Sequence, residues 1–362
     1  MQILYQGLLQ SAASWARVGR GLLSGLLELG VQPQVISARG FRFDSQFELP
    51  EGVQAISPRA AHQSEEPDVG LGFLHPPHLD RLLGKKRLNL FSWEADRVPR
   101  AWLEPLSTKT NLVIVPSEFT RHALIESGLD ESHIAVLPHG FDPNLIQTRT
   151  PHDHQTMRYL VVAAPHWRKG VREICQAFRQ VFTCQDNVLL HIKTNYDPGK
   201  ARKRFDFEIP SWQELFETCG LNDRSAPAVH LDVATLGDRE QMGLYATADL
   251  LVATSWGEAF GLAILESLAH GVPVLTTAWS GHMDFMPDSD DAVPFDLRPA
   301  GTALYEPVPD ARVAVPQVPA LAARMRWHYE HRAESAEIGQ QGQSTVTHLT
   351  WRNAAQQLLT LV

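Results

Sequence analysis

The chain has 362 residues, 44% hydrophobic and 20% charged, with a net charge of −9. Such a composition excludes a disordered chain, and the length suffices for two α/β domains of ordinary size. The acidic balance argues against a general nucleic-acid binder, which needs a basic face, and no apolar run reaches the ~20 residues that span a bilayer.

In chain order, the first half alternates strand and helix. Residues 2–5 read as a strand, 14–29 as a helix closed by Gly30, and 34–37 as a strand. Residues 68–74 and 88–91 are strand-like, and 111–115 is an apolar run of the buried-strand kind. Ser117 is placed to cap a helix that Gly128 closes, and 134–137 is a further strand leading to His139-Gly140-Phe141-Asp142. The polar stretch 143–157 lacks periodicity and reads as a linker. The alternation then restarts: strands at 159–164, 188–193, 228–231, 250–253 and 272–277, with helices at 170–182, 211–219 and 239–246 and from Phe260 to a stop at His270-Gly271. Residues 321–331 and 351–362 close the chain as helices. Two blocks of βα units predict two doubly wound domains facing a cleft.

Three cysteines, Cys175, Cys184 and Cys219, cannot all pair and have no metal-finger spacing. Met1 leads almost directly into the first strand, so no leader is expected, and the thiols point to a reducing cytoplasm. Basic residues cluster at 85–87 and 200–204. Such runs are solvated surface, or contacts for an anionic acceptor or a membrane surface.

The stretch Ser255-Trp256-Gly257-Glu258-Ala259-Phe260-Gly261-Leu262-Ala263-Ile264-Leu265-Glu266 is the most informative. A helix from Phe260 puts Leu262, Leu265, Ala269 and Glu266 on one face. An inward carboxylate needs a polar partner, either backbone or a ligand. The flanking strands put Glu258 and Glu266 at a strand-to-helix edge, where α/β folds bind ligands. Gly257 and Gly261 let backbone approach closely, and the amides of the first helical turn form an anion site. Phosphate-binding amides beside two carboxylates suit a nucleotide sugar, a diphosphate between two polyols.

This string resembles the donor-site motif of the retaining GT-B glycosyltransferases of family 4, the "glycosyl transferases group 1" class. Their pattern is Glu, seven residues, Glu, with Phe-Gly-Leu between and Gly-Val-Pro-Val after it; Glu258, Phe260, Gly261, Leu262 and Glu266 fill it. The resemblance implies that Glu258 contacts donor sugar hydroxyls and Glu266 the ribose. It places Lys169, with Arg168 beside it, on the donor phosphates, and His75, with His78 as rival, on the donor sugar. Gly7 and Gly281 would bring backbone to the diphosphate, although the family's usual glycine pair at the first turn is reduced to Gly7. His166 is a further phosphate contact. Trp93 and Glu94 would face the acceptor. Glu258, His75 and Lys169 form the expected catalytic set. Asp288-Ser289-Asp290-Asp291 looks like a metal-binding Asp-x-Asp, but the resembled family needs no metal, and no cofactor is expected beyond the nucleotide-sugar co-substrate.

The implied architecture is GT-B: a first Rossmann-like domain over 1–145, a linker over 146–157, a donor-binding domain over 158–345, and a last helix within 346–362 crossing back to the first domain. The implied reaction moves a sugar from a nucleotide-diphosphate sugar to a hydroxyl acceptor (saccharide, lipid-linked glycan, natural product or protein) with retention, in the cytoplasm or at the inner-membrane surface. The competing expectations are a sugar phosphorylase or sugar-phosphate synthase, and a non-catalytic nucleotide- or partner-binding module.

Overall fold

The computed structural model describes residues 1–38, 43–63, 65–149, 155–201, 205–287 and 291–362. It divides into two compact units, Met1–Asn144 with His348–Val362, and Leu145–Thr347.

The first unit runs β1 (Ile3–Gly7), α1 (Ser14–Glu28), β2 (Gln34–Ser37), β3 (Gln54–Ala55), α2 (Pro58–Gln63), β4 (Val69–Phe73), β5 (Lys86–Leu90), α3 (Arg100–Lys109), β6 (Leu112–Val115), α4 (Glu118–Ser127) and β7 (Ile134–Val136). Its strands form one parallel sheet in the order β3-β2-β1-β4-β5-β6-β7. The apolar run of β6 buries Val113, Ile114 and Val115 on both faces, as a central parallel strand requires. Ser117 caps α4 by accepting the Thr120 N–H at 3.2 Å, and Gly128 ends it in the left-handed region at φ 109°.

The second unit runs β8 (Met157–Val162), α5 (Val171–Val181), β9 (Val188–Lys193), α6 (Trp212–Thr218), β10 (Ala228–Asp232), α7 (Asp238–Ala246), β11 (Leu250–Ala253), α8 (Leu262–Ala269), β12 (Val274–Thr277), β13 (Ala292–Val293), β14 (Phe295–Pro299), β15 (Arg312–Pro316), α9 (Val318–Glu330) and α10 (Arg332–Val346). The parallel sheet is ordered β10-β9-β8-β11-β12-β13, and β14–β15 is a separate antiparallel hairpin. Its core gathers Tyr159, Phe178, Phe182, Ile192 and Trp212, and the Tyr159 hydroxyl donates to the Met325 carbonyl of α9 at 2.8 Å.

The last helix, α11 (Trp351–Leu358), belongs to the first unit. It lies against α1 where that helix has Gly21 and Gly25. A Cβ there would stand 2.2 Å from the Trp351 ring and 2.3 Å from the Trp351 carbonyl oxygen. The strand-like bridge Phe141–Thr350 ties it down, with the Phe141 N–H donating to Leu349 O at 2.9 Å.

Several elements escape the hydrophobic pattern. Helix α3 carries Pro105 and buries only Trp102 and Leu106; α2 buries only Ala61. Helix α10 buries Ser335, Gly339, Gly342 and Val346, small residues with no apolar stripe, because it approaches α8 and the turn after it closely: a Cβ on Gly342 would meet Leu268 Cδ2 at 2.7 Å, and one on Gly339 would meet Gly271 O at 2.3 Å. The β14–β15 hairpin shows mostly exposed residues on β14.

Candidate functional site

The candidate site is built at the carboxyl edge of the second sheet, between β8 and β11, where the strand order reverses. After β8 the chain makes one short helical turn, Trp167–Lys169, and leaves it through Gly170 at φ 64°. A Cβ on Gly170 would lie 2.1 Å from the Thr254 carbonyl oxygen, so only glycine lets this loop press on the end of β11. The contact is reinforced in both directions: the Trp256 N–H donates to Arg168 O at 2.7 Å, and Arg168 Nη1 donates to Gly257 O at 2.5 Å.

That packing delivers the neighbouring side chain, Lys169, to Glu258. Lys169 Nζ donates to Glu258 Oε1 at 2.5 Å, and Ser255 Oγ donates to the same oxygen at 2.6 Å. Arg168 stands 3.7 Å from the other oxygen. The Glu258 side chain is only 14% exposed. Burial by itself would raise its pKa, but the Lys169 and Arg168 charges, with the Lys169 and Ser255 hydrogen bonds, outweigh it and hold the group at about 2. Glu258 is therefore an ionised carboxylate throughout the physiological range.

Helix α8 starts at Leu262 and not at Phe260, because Gly261 sits at φ 94°, ψ 59°. The Ile264 and Leu265 N–H groups both return to Gly261 O, and the amides of Leu262 and Ala263 open the helix ahead of them. Phe260 is a packing residue, buried with its ring 4.8 Å from that of Phe285, so its expected place in a donor site reduces to its backbone. Glu266 is buried and finds the polar partner that an inward carboxylate requires: the Tyr245 hydroxyl donates to Oε2 at 2.9 Å. The Gly281 N–H donates to Glu258 O at 2.9 Å, and the Glu258 N–H donates to Ser280 Oγ at 2.9 Å. Arg168, expected beside Lys169 on the donor phosphates, is drawn inside the protein, 7% exposed, with its guanidinium on the Gly257 carbonyl. The His166 ring stands edge-on to Phe207 at 4.8 Å.

In the first unit, Gly7 ends β1, where a Cβ would stand 2.8 Å from the Tyr5 hydroxyl; packing of that buried ring accounts for the glycine. His75 follows β4, half-buried, with its ring edge-on to Trp102 at 4.6 Å, while His78 is exposed. Trp93 corrects the acceptor-side expectation. It is fully buried, 5.0 Å from Trp102, and its N–H donates to Arg97 O at 2.5 Å, so it offers no face to a sugar. Glu94 beside it is also buried. Of the basic stretch 85–87, Lys85 pairs with Asp68 at 3.1 Å. Residues 202–204 of the second stretch and 288–290 of the Asp-x-Asp lie outside the described residues; Asp291 is buried against His328 and Arg324.

The model described as "Family 4 Glycosyltransferase in conflict systems" matches residues 115–358, and that described as "Glycosyltransferase Family 4" matches 62–145. The chain belongs to glycosyltransferase family 4. A curated family relative, mannosylfructose-phosphate synthase of Agrobacterium fabrum (strain C58 / ATCC 33970), is 24% identical over 266 residues, covering 70% of this chain but 52% of that protein; the chain thus matches about half of its length. Two solved structures share the fold over the whole chain. Sucrose-phosphate synthase of Thermosynechococcus elongatus gives a TM-score of 0.73 at 15% identity, covering 100% of this chain and 98% of that one. HepE of Anabaena, in complex with UDP and glucose, gives 0.72 at 17%, covering 100% and 99%. Two Rossmann-like units of the GT-B class are thus the fold of this family 4 chain.

The family motif marked Glu258, Lys169 and Glu266 but not the residues that hold them. Ser255, Ser280 and Tyr245 make those contacts, and the fully buried His282 stands behind Ser280. Serine and tyrosine at those positions carry no sequence signal of their own. His282 lies in the loop singled out for Gly281, and its burial follows only from the fold.

Proposed function

We propose that the protein transfers a glycosyl group from a nucleoside-diphosphate sugar to a hydroxyl acceptor with retention of configuration and without a metal. The observation that carries this reading is the Lys169–Glu258 pair at 2.5 Å, seated beside the opening of α8. Glu258, ionised and held from two sides, accepts hydrogen bonds from donor sugar hydroxyls. Glu266 serves the ribose, with Tyr245 fixing the carboxylate. Lys169 and the amides of Gly261 and Leu262 face the charge that gathers on the leaving diphosphate, a preorganised electrostatic stabilisation. The departing phosphate takes the acceptor proton, so no dedicated base is required. HepE was solved with UDP and glucose, which supports a uridine nucleotide as the first donor to try.

The test is a thermal-shift panel of UDP, GDP, ADP and TDP, followed by turnover of the matching sugars. Ligand at 100 times its dissociation constant stabilises by ~2.7 kcal/mol. NMR of the product anomer then decides retention, and inversion would end that part of the proposal. Chelation with EDTA should leave turnover unchanged. A second reading, sugar-phosphate synthesis, is favoured by the mannosylfructose-phosphate synthase relative. Turnover with a sugar phosphate as acceptor, absent with the free sugar, would select it. No described helix is long and apolar enough to cross a membrane. A cytoplasmic enzyme touching the inner-membrane surface through its basic stretches completes the proposal, and co-sedimentation with anionic vesicles tests it.

A further inference from the structure

Ser280 is the one non-glycine residue among those described with positive φ, at φ 87° and ψ −169°. That region is close to glycine-only, and an L residue there costs about 1–3 kcal/mol. Such strain persists where surrounding contacts over-determine the backbone. The contacts here converge on Glu258. The Ser280 hydroxyl accepts the Glu258 N–H at 2.9 Å, and the next residue, Gly281, donates its N–H to the Glu258 carbonyl at 2.9 Å. The loop after β12 therefore grips the Glu258 main chain at both of its polar groups.

The hydroxyl is itself aimed. His282 is fully buried, with Nε2 2.8 Å from Thr277 O and 2.8 Å from Thr276 Oγ1, and Nδ1 3.5 Å from Ser280 Oγ. A carbonyl can only accept, so Nε2 carries the hydrogen. Burial lowers the ring's pKa and keeps it neutral, which leaves Nδ1 as an acceptor facing Ser280. The Ser280 hydroxyl then turns its proton to His282 and its lone pair to the Glu258 N–H. A chain of contacts runs from the end of β12 through His282 and Ser280 to Glu258, and on through its carboxylate to Lys169.

We propose that Ser280 is a positioning residue for Glu258: its strained backbone and oriented hydroxyl hold the main chain so that the carboxylate meets Lys169 and the donor sugar in the reactive geometry. The inference rests on the glycosyl-transfer reading above. It separates from a structural role because the hydroxyl can be removed with the strain kept or with the strain relieved. Ser280→Gly relieves the strain and deletes the hydroxyl; Ser280→Ala keeps the strain and deletes the hydroxyl.

The experiment measures Tm, UDP affinity and hydrolysis of UDP-, GDP-, ADP- and TDP-glucose for wild type and both variants. Ser280→Ala should lower Tm, and Ser280→Gly should match or exceed the Ala variant by a few degrees, about 2–4 °C per kcal/mol in a unit of this size. Both should keep nucleotide affinity within about twofold and lose about tenfold in kcat, as expected for one misplaced reactive contact. A purely structural serine would make activity follow Tm. Wild-type kcat in Ser280→Gly would therefore overturn the inference while leaving the glycosyl-transfer reading intact. A wild type that neither binds nor hydrolyses any of the four donors would overturn the reading and the positioning role with it.

Discussion

The two sheets share one strand order around their switch points, yet the edges they expose differ in kind. In the second unit, the turn after β8 and the turn after β11 meet in a lysine–glutamate pair, with side chains 21% and 14% exposed. In the first unit, the turn after β4 carries His75 onto an aromatic cluster of Trp102, Trp93 and Phe91. Each unit also draws an arginine inward onto backbone carbonyls. Arg20 Nη1 donates to Leu9 O at 2.5 Å and Ser11 O at 3.0 Å, fixing the turn after β1, as Arg168 fixes the motif turn through Gly257. The same topology thus supports a packed apolar edge and a preorganised charged one. What separates them is a few side chains, which is why function has to be argued from the site and not from the fold.

The largest effect should come from the apolar edge. Trp93→Ala removes a fully buried indole and should cost about 3–5 kcal/mol of first-unit stability, read by urea unfolding. UDP affinity should not change, since the nucleotide contacts proposed above lie in the other unit. A Trp93→Phe variant of normal stability with a raised acceptor KM would restore the acceptor role that burial argues against.

At the charged edge, Glu258→Ala should lower donor turnover by about 10²–10³-fold, the scale for removing one preorganised electrostatic group. The variant should fold with lowered stability, because the residue sits in a turn but its loss takes from Lys169 and Arg168 their carboxylate partner. Wild-type turnover in this variant would break the contrast between the edges altogether. His75→Ala provides the reciprocal measurement: a comparable loss would mean that the first unit contributes chemistry and not only packing.

How much of this was legible in the sequence follows the same division. Strands β1, β6, β8 and β11 are apolar runs bounded by turn residues, and the doubly wound pattern follows from their alternation with helices. Glu258, Lys169 and Glu266 stand out because a charged residue is conspicuous beside glycines and apolar neighbours. The residues that orient them do not. Ser280 looks like any loop serine, and its φ goes with a contact to Glu258, 22 positions earlier, that no local pattern announces. Trp93 misleads for the opposite reason: a tryptophan beside acidic residues reads as a sugar platform until the packing of α3 covers it. Helix α10 is invisible because close helix approach selects small residues and erases the stripe on which periodicity depends.

Acid should separate the units by a smaller effect. Burial depresses the pKa of His139 in the first unit to about 3, and charge pairing depresses that of Glu258 in the second to about 2. In both cases the unfolded chain binds more protons, so stability rises with pH across the window between the two states' pKa values. His139 contributes fully above pH 6.5 and loses its contribution as pH falls towards 3; Glu258 contributes fully above pH 4.5 and loses it towards 2. His139→Gln should flatten the stability curve between pH 6.5 and 3, and Glu258→Gln only below 4.5. Unfolding by urea at a series of pH values, with each variant, checks the two windows; a Glu258 variant that flattens the curve near pH 6 would show that the carboxylate is not held by Lys169 as described.

The smallest effect belongs to the basic stretch at 85–87. The Lys85–Asp68 pair at 3.1 Å joins two side chains that are 53% and 48% exposed, and exposed pairs of this kind contribute little because water screens them. Lys85→Ala should therefore leave Tm unchanged in 0.15 M salt. The variant is informative for another reason. Asp68 already offsets one of the three charges that a membrane-facing patch would use, so Lys85→Ala should weaken co-sedimentation with anionic vesicles only modestly, by about as much as Asp68→Asn strengthens it. If Lys85→Ala instead abolishes vesicle binding, the pair is broken at the membrane surface, and the first unit has a charged contact face after all.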